Sequence, residues 1–175
     1  NVEHPAINNL CKHLVKTRGY EVTFVLVDKM GRLDTDLLYK SMSENTALIT
    51  LMWANNETGV IFPIDEIGKK ANEMGILFHT DAVQATGKIP IDVQAAGVDM
   101  LSLSGHKIHA PKGIGALYIK NGLKFSPFLI GGHQEKGRRG GTENTVSIIG
   151  LGKACEMAKE HLNEMDTRVR EMRDY

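Results

Sequence analysis

The sequence holds 175 residues, enough for one domain with a buried core. Its 21 basic and 21 acidic residues cancel, so no long-range field favours nucleic acid or an anionic membrane surface. With 42% apolar and 24% charged residues the profile is that of a soluble globular protein, and no apolar run approaches the ~20 residues of a membrane span. Cys11 and Cys155 form neither a metal-spacing motif nor a disulfide framework, which points to a reducing, cytoplasmic setting. The sequence starts at Asn1-Val2-Glu3-His4 and stops at Tyr175 inside a helical pattern, so an excised piece of a longer protein is expected.

In chain order, His4 to Thr17 carries Ile7, Leu10, Cys11, Leu14 and Val15 on a helical stripe that Gly19 ends. Glu21 to Val27 is β-rich: Val22, Phe24 and Leu26 alternate with Thr23 and Val25. Asp34 is placed to cap a helix from Thr35 to about Met42. The apolar run Ala47 to Trp53 reads as a parallel strand buried on both faces, and Asn55-Asn56-Glu57-Thr58-Gly59 reads as a turn. Pro63 opens a helix to Glu73 with Ile64, Ile67 and Ala71 inward and Gly75 after its end. Strands follow at Ile76–His79, Met100–Leu103 and Ile114–Ile119. From Ser147 a helix runs to the end, with Cys155, Ala158, Leu162, Met165, Val169 and Met172 spaced by threes and fours as an apolar seam. Helices alternating with strands give an α/β class with a mostly parallel sheet flanked by helices.

The run Ile76-Leu77-Phe78-His79-Thr80 ends in Asp81, and the run Val98 to Leu103 leads into Ser104-Gly105-His106-Lys107. The C-terminal ends of strands are where open α/β sheets bind ligands, so an acid and a lysine are delivered to one sheet edge. Pyridoxal phosphate (PLP) chemistry needs that pair: an amine to hold the cofactor's aldehyde and an acid for its pyridinium nitrogen. Lys107 taken alone is an ordinary surface lysine; at a strand end beside His106 it is expected to be partly desolvated, which lowers an ammonium pKa. Asp81 taken alone caps the next turn. Gln84, three residues on, shares its face and is placed to bond a ring hydroxyl. Ser104 and His106 flank Gly105, and on an extended segment both face one side with a hydroxyl and an imidazole suited to a phosphate. Of Asn55 and Asn56, one shapes the turn and the other is free to donate to cofactor or substrate. His4, at a helix start, suits capping, or stacking on a flat ring as an acid or base. The Gly-rich stretch 131–142 is a flexible loop, or one in which Thr142 and the arginines contact a phosphate, including that of another subunit.

Five segments taken together resemble the fold-type I PLP enzymes of aminotransferase class V, and specifically the NifS/IscS-like cysteine desulfurases. They are Glu3-His4-Pro5-Ala6, Trp53-Ala54-Asn55-Asn56-Glu57-Thr58-Gly59, His79-Thr80-Asp81-Ala82-Val83-Gln84, Ser104-Gly105-His106-Lys107 and Arg138-Arg139-Gly140-Gly141-Thr142-Glu143-Asn144. They stand in family order over nearly the whole chain, in wording similar to the nitrogen-fixation (NifS) branch.

The resemblance implies a part of the PLP-binding large domain over residues 1–146, and over 147–175 a long helix leading toward a small domain. It implies that Lys107 holds PLP and moves protons, Asp81 pairs with the ring nitrogen, and Gln84 bonds the phenolic oxygen. His4 would stack on the ring and assist proton transfer. Asn56 would contact cofactor and substrate, and Ser104 and His106 would bind phosphate. Thr142 would reach the phosphate of a partner subunit, which implies a homodimer. The implied reaction is L-cysteine to L-alanine, with sulfur passed to an enzyme cysteine as a persulfide for an Fe–S scaffold or other sulfur acceptor. The nucleophilic cysteine and the carboxylate-binding arginine of that family lie beyond Tyr175, and Cys11 and Cys155 read as packing residues. The 175 residues alone are therefore expected to be inactive. A selenocysteine lyase or other class V enzyme shares the same residues, and a non-catalytic interaction domain is the further alternative. No metal site is expected.

Overall fold

Helix α1 (Pro5–Arg18) opens on a proline, whose missing N–H removes only a donor that a first helical turn leaves unpaired. His4 caps it, its Nδ1 accepting from the Ala6 amide at 3.2 Å. The structure, a computed structural model, describes residues 2–175 and contains two compact units. One joins the chain up to Gln84 with Asp92–Val98; the other joins Ala85–Ile91 with Asp99–Tyr175.

The first unit continues with α2 (Thr35–Ser41), where Asp34 accepts from the Leu37 amide at 2.9 Å as its N-cap. Strand β1 (Leu48–Met52), helix α3 (Ile64–Glu73) and strand β2 (Leu77–Asp81) form a β-α-β unit. The two strands run parallel, in register from Leu48 opposite Leu77 to Met52 opposite Asp81. A parallel pair needs a crossover, and α3 supplies it. Helix α3 buries Ile64, Ile67, Gly68 and Ala71, one helical face. It lies so close to its neighbours that a Cβ on Gly68 would sit 2.0 Å from the Ala96 carbonyl oxygen. Phe78 and Thr80 complete this core with no exposed surface.

Two expectations fail in this unit. The alternating segment 21–27 forms no strand; it makes one bridge, Val27 with Leu33, and Leu26 stays 56% exposed. Alternation offers a strand one good face, but among the described residues no neighbouring strand pairs with it. The α1 stripe is not core either: none of its residues is buried, and Leu10 and Val15 are exposed.

In the second unit, β3 (Met100–Ser104) is followed by a 3₁₀ turn (Gly105–Ile108) and β4 (Gly115–Ile119). The strands run antiparallel, Met100 opposite Ile119 and Ser104 opposite Gly115. The connection holds no crossover helix, so the chain returns antiparallel. The α/β class stands, this return being the exception to its mostly parallel character. After the short distorted turn α4 (Gln134–Gly137), Asn144 caps α5 (Thr145–Glu160), accepting from the Ser147 amide at 3.2 Å. Ala154 of α5 joins Ile108 and Ala110 in a small core, with Ile114, Leu151 and Cys155 packed against it.

The terminal helix starts two residues before the expected Ser147 and is not continuous. His161 leaves helical geometry at φ −95° and ψ 4°, then come α6 (Leu162–Glu164), a π turn (Met165–Val169) and α7 (Arg170–Asp174). The wider π turn breaks the three-and-four spacing, and Val169 and Met172 are exposed rather than part of a seam.

Candidate active site

In the first unit the candidate residues gather where β1 and β2 end. Asp81 is the last residue of β2 and is half-buried. Its Oδ1 accepts from the Val83 amide at 3.0 Å, so one carboxylate oxygen does cap the following turn. His79, two residues earlier, meets Thr50 across the strand pair, Nδ1 to Oγ1 at 2.7 Å. Burial pushes the His79 imidazole below its usual pKa, with Asp81 pulling the other way.

The segment before α1 is tied to this edge. Glu3 Oε1 accepts from the Met52 amide at 2.8 Å, and Met52 is the register partner of Asp81. Glu3 Oε2 is shut from solvent without a hydrogen-bond partner. Burial, with Asp81 adding to it, raises the Glu3 carboxyl to about 7 against the opposing Met52 bond. The Asn8 side chain donates to the Glu3 carbonyl at 2.7 Å and the Asn55 side chain to the Val2 carbonyl at 3.1 Å. His4 is exposed; because its Nδ1 accepts from Ala6, the proton of the neutral ring sits on Nε2.

The adjacent asparagines have different surroundings. Asn55 is buried, and its Oδ1 accepts from the amides of Glu57 and Thr58 and from the Thr58 hydroxyl. Asn56 is exposed. Gln84 lies half-buried in the turn after Asp81.

In the second unit Ser104 ends β3, and the chain turns at once into the 3₁₀ turn rather than staying extended. Gly105 is needed there: a Cβ would meet Ile114 Cγ2 at 2.8 Å and Ala110 Cβ at 3.0 Å. The turn still brings the expected pair together, with Ser104 Oγ 2.8 Å from His106 Nδ1. Lys107 departs from expectation, being exposed rather than desolvated. The turn buries Gly105 and Ile108, which leaves positions 106 and 107 facing outward. A cation the sequence reading missed is Lys88, whose Nζ is shut from solvent without a hydrogen-bond partner. Burial and the neighbouring Lys107 charge hold its ammonium below the usual lysine range. Thr142 is exposed on the Gly-rich loop, which is fixed by the Gly140 amide donating to the Leu129 carbonyl at 2.7 Å and by the Gly141 amide donating to Gln134 Oε1 at 3.2 Å.

Each unit thus assembles its own set: Glu3, His79 and Asp81 in one, Ser104, His106, Lys107 and Lys88 in the other. Glu3 and His79 stood inside quoted motifs without a role; an acid directly before a helix cap and a histidine inside an apolar strand were their signals. Among the described residues no His, Cys, Asp and Glu group is arranged to hold a metal, and no helix is long and apolar enough to cross a membrane.

The mostly parallel α/β fold, with one strand ending in Asp81 and another running into the Ser-Gly-His-Lys turn, is that of the NifS-like PLP enzymes. The chain belongs to the aminotransferase class-V family, whose description matches residues 1–175. It is 57% identical over 173 residues to a cysteine desulfurase of Gluconacetobacter diazotrophicus, an alignment covering 99% of this chain and 43% of that protein. It is 53% identical over 173 residues to the cysteine desulfurase NifS of Azotobacter vinelandii, with the same two coverages. Among solved structures, a NifS-like protein superimposes with a TM-score of 0.89 at 40% identity, over 93% of this chain and 45% of that one. A structure described as SspA in complex with cysteine gives 0.85 at 44% identity, over 89% and 45%. The chain therefore spans less than half the length of these relatives.

Proposed function

We propose that the full-length protein is a PLP-dependent cysteine desulfurase, converting L-cysteine to L-alanine and passing the sulfur to a cysteine thiol as a persulfide. The observation that carries this reading is the Ser104–His106 contact of 2.8 Å beside the exposed Lys107, on a turn that only Gly105 lets close. This donor set fits PLP: a hydroxyl and an imidazole for the phosphate, and a primary amine for the aldehyde. The unpartnered Lys88 ammonium adds positive charge to the same turn. When bound, PLP supplies an electron sink that makes the substrate Cα–H acidic.

The residues of this chain do the rest. Lys107 Nζ attaches the cofactor and carries a proton to and from the substrate carbon. With Nδ1 engaged by Ser104, His106 keeps Nε2 for a phosphate oxygen. Asp81 holds the ring nitrogen in its protonated form, Gln84 bonds the phenolic oxygen, and the exposed Asn56 serves cofactor and substrate while Asn55 holds the turn. His4 stacks on the ring and offers Nε2–H as an acid. Thr142 serves the phosphate of a partner subunit, so the working unit is a homodimer. Residues 1–146 are the central part of the large domain, and 147–175 lead toward a small domain.

Neither cysteine here is the sulfur acceptor. Burial pushes the Cys11 thiol above its usual pKa, the reverse of an activated nucleophile, and Cys155 packs against the small core. The nucleophilic thiol and the carboxylate-binding arginine lie outside these residues, which are inactive alone. Delivery to an Fe–S scaffold or another sulfur acceptor in the cytoplasm completes the reading. The test is cysteine-dependent alanine formation by the full-length protein with PLP. The reading requires wild type to form alanine and Lys107→Ala to lose it; alanine formation undiminished in Lys107→Ala would sink it.

A further inference from the structure

Glu3 has no part in the proposed chemistry, yet its side chain is tied to the β1–β2 edge. Its Oε1 accepts from the Met52 amide at 2.8 Å, one register position across from Asp81. Its Oε2 is sealed from water and has no donor. The residue before it is held by Asn55 and its own carbonyl by Asn8, so the segment that delivers His4 is fixed on both sides of Glu3. A carboxylate there would place charge on an oxygen with nothing to satisfy it, beside a second carboxylate. Two carboxyls sharing one site do not both ionise readily.

We propose that Glu3 is a positioning residue that works as a neutral carboxyl, anchoring the His4 segment to the end of β1 and leaving Asp81 as the one anion at that strand end. The groups facing the Glu3 carboxyl agree with this. Asp81 on β2 raises it, and Cys11 on α1 feels the Glu3 charge, so a further anion there is disfavoured. On the same strand as Asp81, burial holds His79 toward its neutral form, and the Met52 amide bond pulls Glu3 the other way. The benefit to the site rests on the assignment of Asp81 to the cofactor's ring nitrogen: a lone, undiluted anion is what keeps that nitrogen protonated.

The sign of the pH effect follows. The folded-state value of about 7 lies above the ordinary 4.5, so the folded protein keeps a proton that the unfolded chain releases. Stability from this group is complete below about 4.5 and is lost as pH rises to about 7. Glutamine mimics the neutral carboxyl, keeps an acceptor for the Met52 amide and cannot titrate.

The test uses the full-length protein, first stripped of PLP. From pH 5 to pH 8, wild type should lose about 3 °C of Tm relative to Glu3→Gln. Glu3→Ala should be destabilised at both ends of the range, because it leaves the Met52 amide without its acceptor. With PLP restored at pH 6.5, Glu3→Gln should bind within about twofold of wild type and Glu3→Ala about tenfold more weakly. A Glu3→Gln variant whose Tm falls with pH in parallel with wild type, or which binds PLP as weakly as Glu3→Ala, overturns the proposal. Failure of the cofactor reading is separable: it would show as no PLP adduct on Lys107 in wild type, while the PLP-free pH series still decides Glu3.

Discussion

Replacing glycine by alanine inside a helix normally stabilises it by ~1 kcal/mol, because alanine loses less backbone freedom on folding. Gly68 should do the opposite. The added Cβ would lie 2.0 Å from the Ala96 carbonyl oxygen, 3.1 Å from its carbonyl carbon and 3.1 Å from Phe78 Cδ1. The nearest obstacle is backbone, so no rotamer change relieves it; α3 must move off the 92–98 segment. That motion would also pull at the bond from the Asn72 side chain to the Gly97 carbonyl, 3.0 Å long. Overpacking of this kind costs ~1–3 kcal/mol. With a rigid obstacle the upper end applies, and after the propensity gain the net loss is ~2 kcal/mol. Gly152 in α5 is the control, since nothing lies within 4 Å of its would-be Cβ. Gly152→Ala should gain ~0.5–1 kcal/mol. Urea unfolding of both variants and wild type reads the difference as a shift in midpoint at constant slope. A stabilised Gly68→Ala, or two variants shifted by the same sign and amount, would refute the close approach of α3.

The asparagine pair should separate stability from binding. Asn55→Ala removes three acceptor contacts and the tie to Val2, and should cost ~1–3 kcal/mol in denaturant unfolding. Asn56→Ala should stay within ~0.5 kcal/mol of wild type while weakening PLP binding in a fluorescence titration. Ser104→Ala should raise the PLP dissociation constant about tenfold with little change in Tm, since the hydroxyl sits in no core. Phe78→Ala, at a position with no exposed surface, should cost ~3–5 kcal/mol by the same unfolding assay.

Much of this architecture was legible because its signals were local. Asp34 before Thr35, Pro63 before Ile64 and the spacing of Ile64, Ile67 and Ala71 are capping and periodicity rules that need no tertiary context. The apolar run at 47–53 reads as a strand and forms β1, buried from Ile49 onward except for half-buried Thr50, while Ala47 and Leu48 stay exposed at its start. Segment 21–27 shows the limit of such rules: alternation states a preference, and a strand forms only when a partner accepts its hydrogen bonds. The terminal seam failed for a related reason, since its spacing presumed uniform α geometry and a π turn intervened at Met165–Val169.

At the site, residue types and their order could be read, but environments could not. The exposure of Lys107 depends on a 3₁₀ turn that follows β3 at once, whereas the sequence read as continued extension. Glu3 and Lys88 owe their interest to burial of a single atom each, a property of packing that carries no trace in spacing. Asn55 and Asn56 are equivalent on paper; only the fold makes one the hub of a turn and leaves the other at the surface.

The central claim is that Lys107 is the residue that holds the cofactor. Full-length protein incubated with PLP, reduced with borohydride, digested and mapped by mass spectrometry should carry one pyridoxyl group on the peptide containing Ser104-Gly105-His106-Lys107, and Lys107→Ala should carry none there. A pyridoxyl group found instead on Lys88 or another lysine, with Lys107 unmodified, would contradict the account.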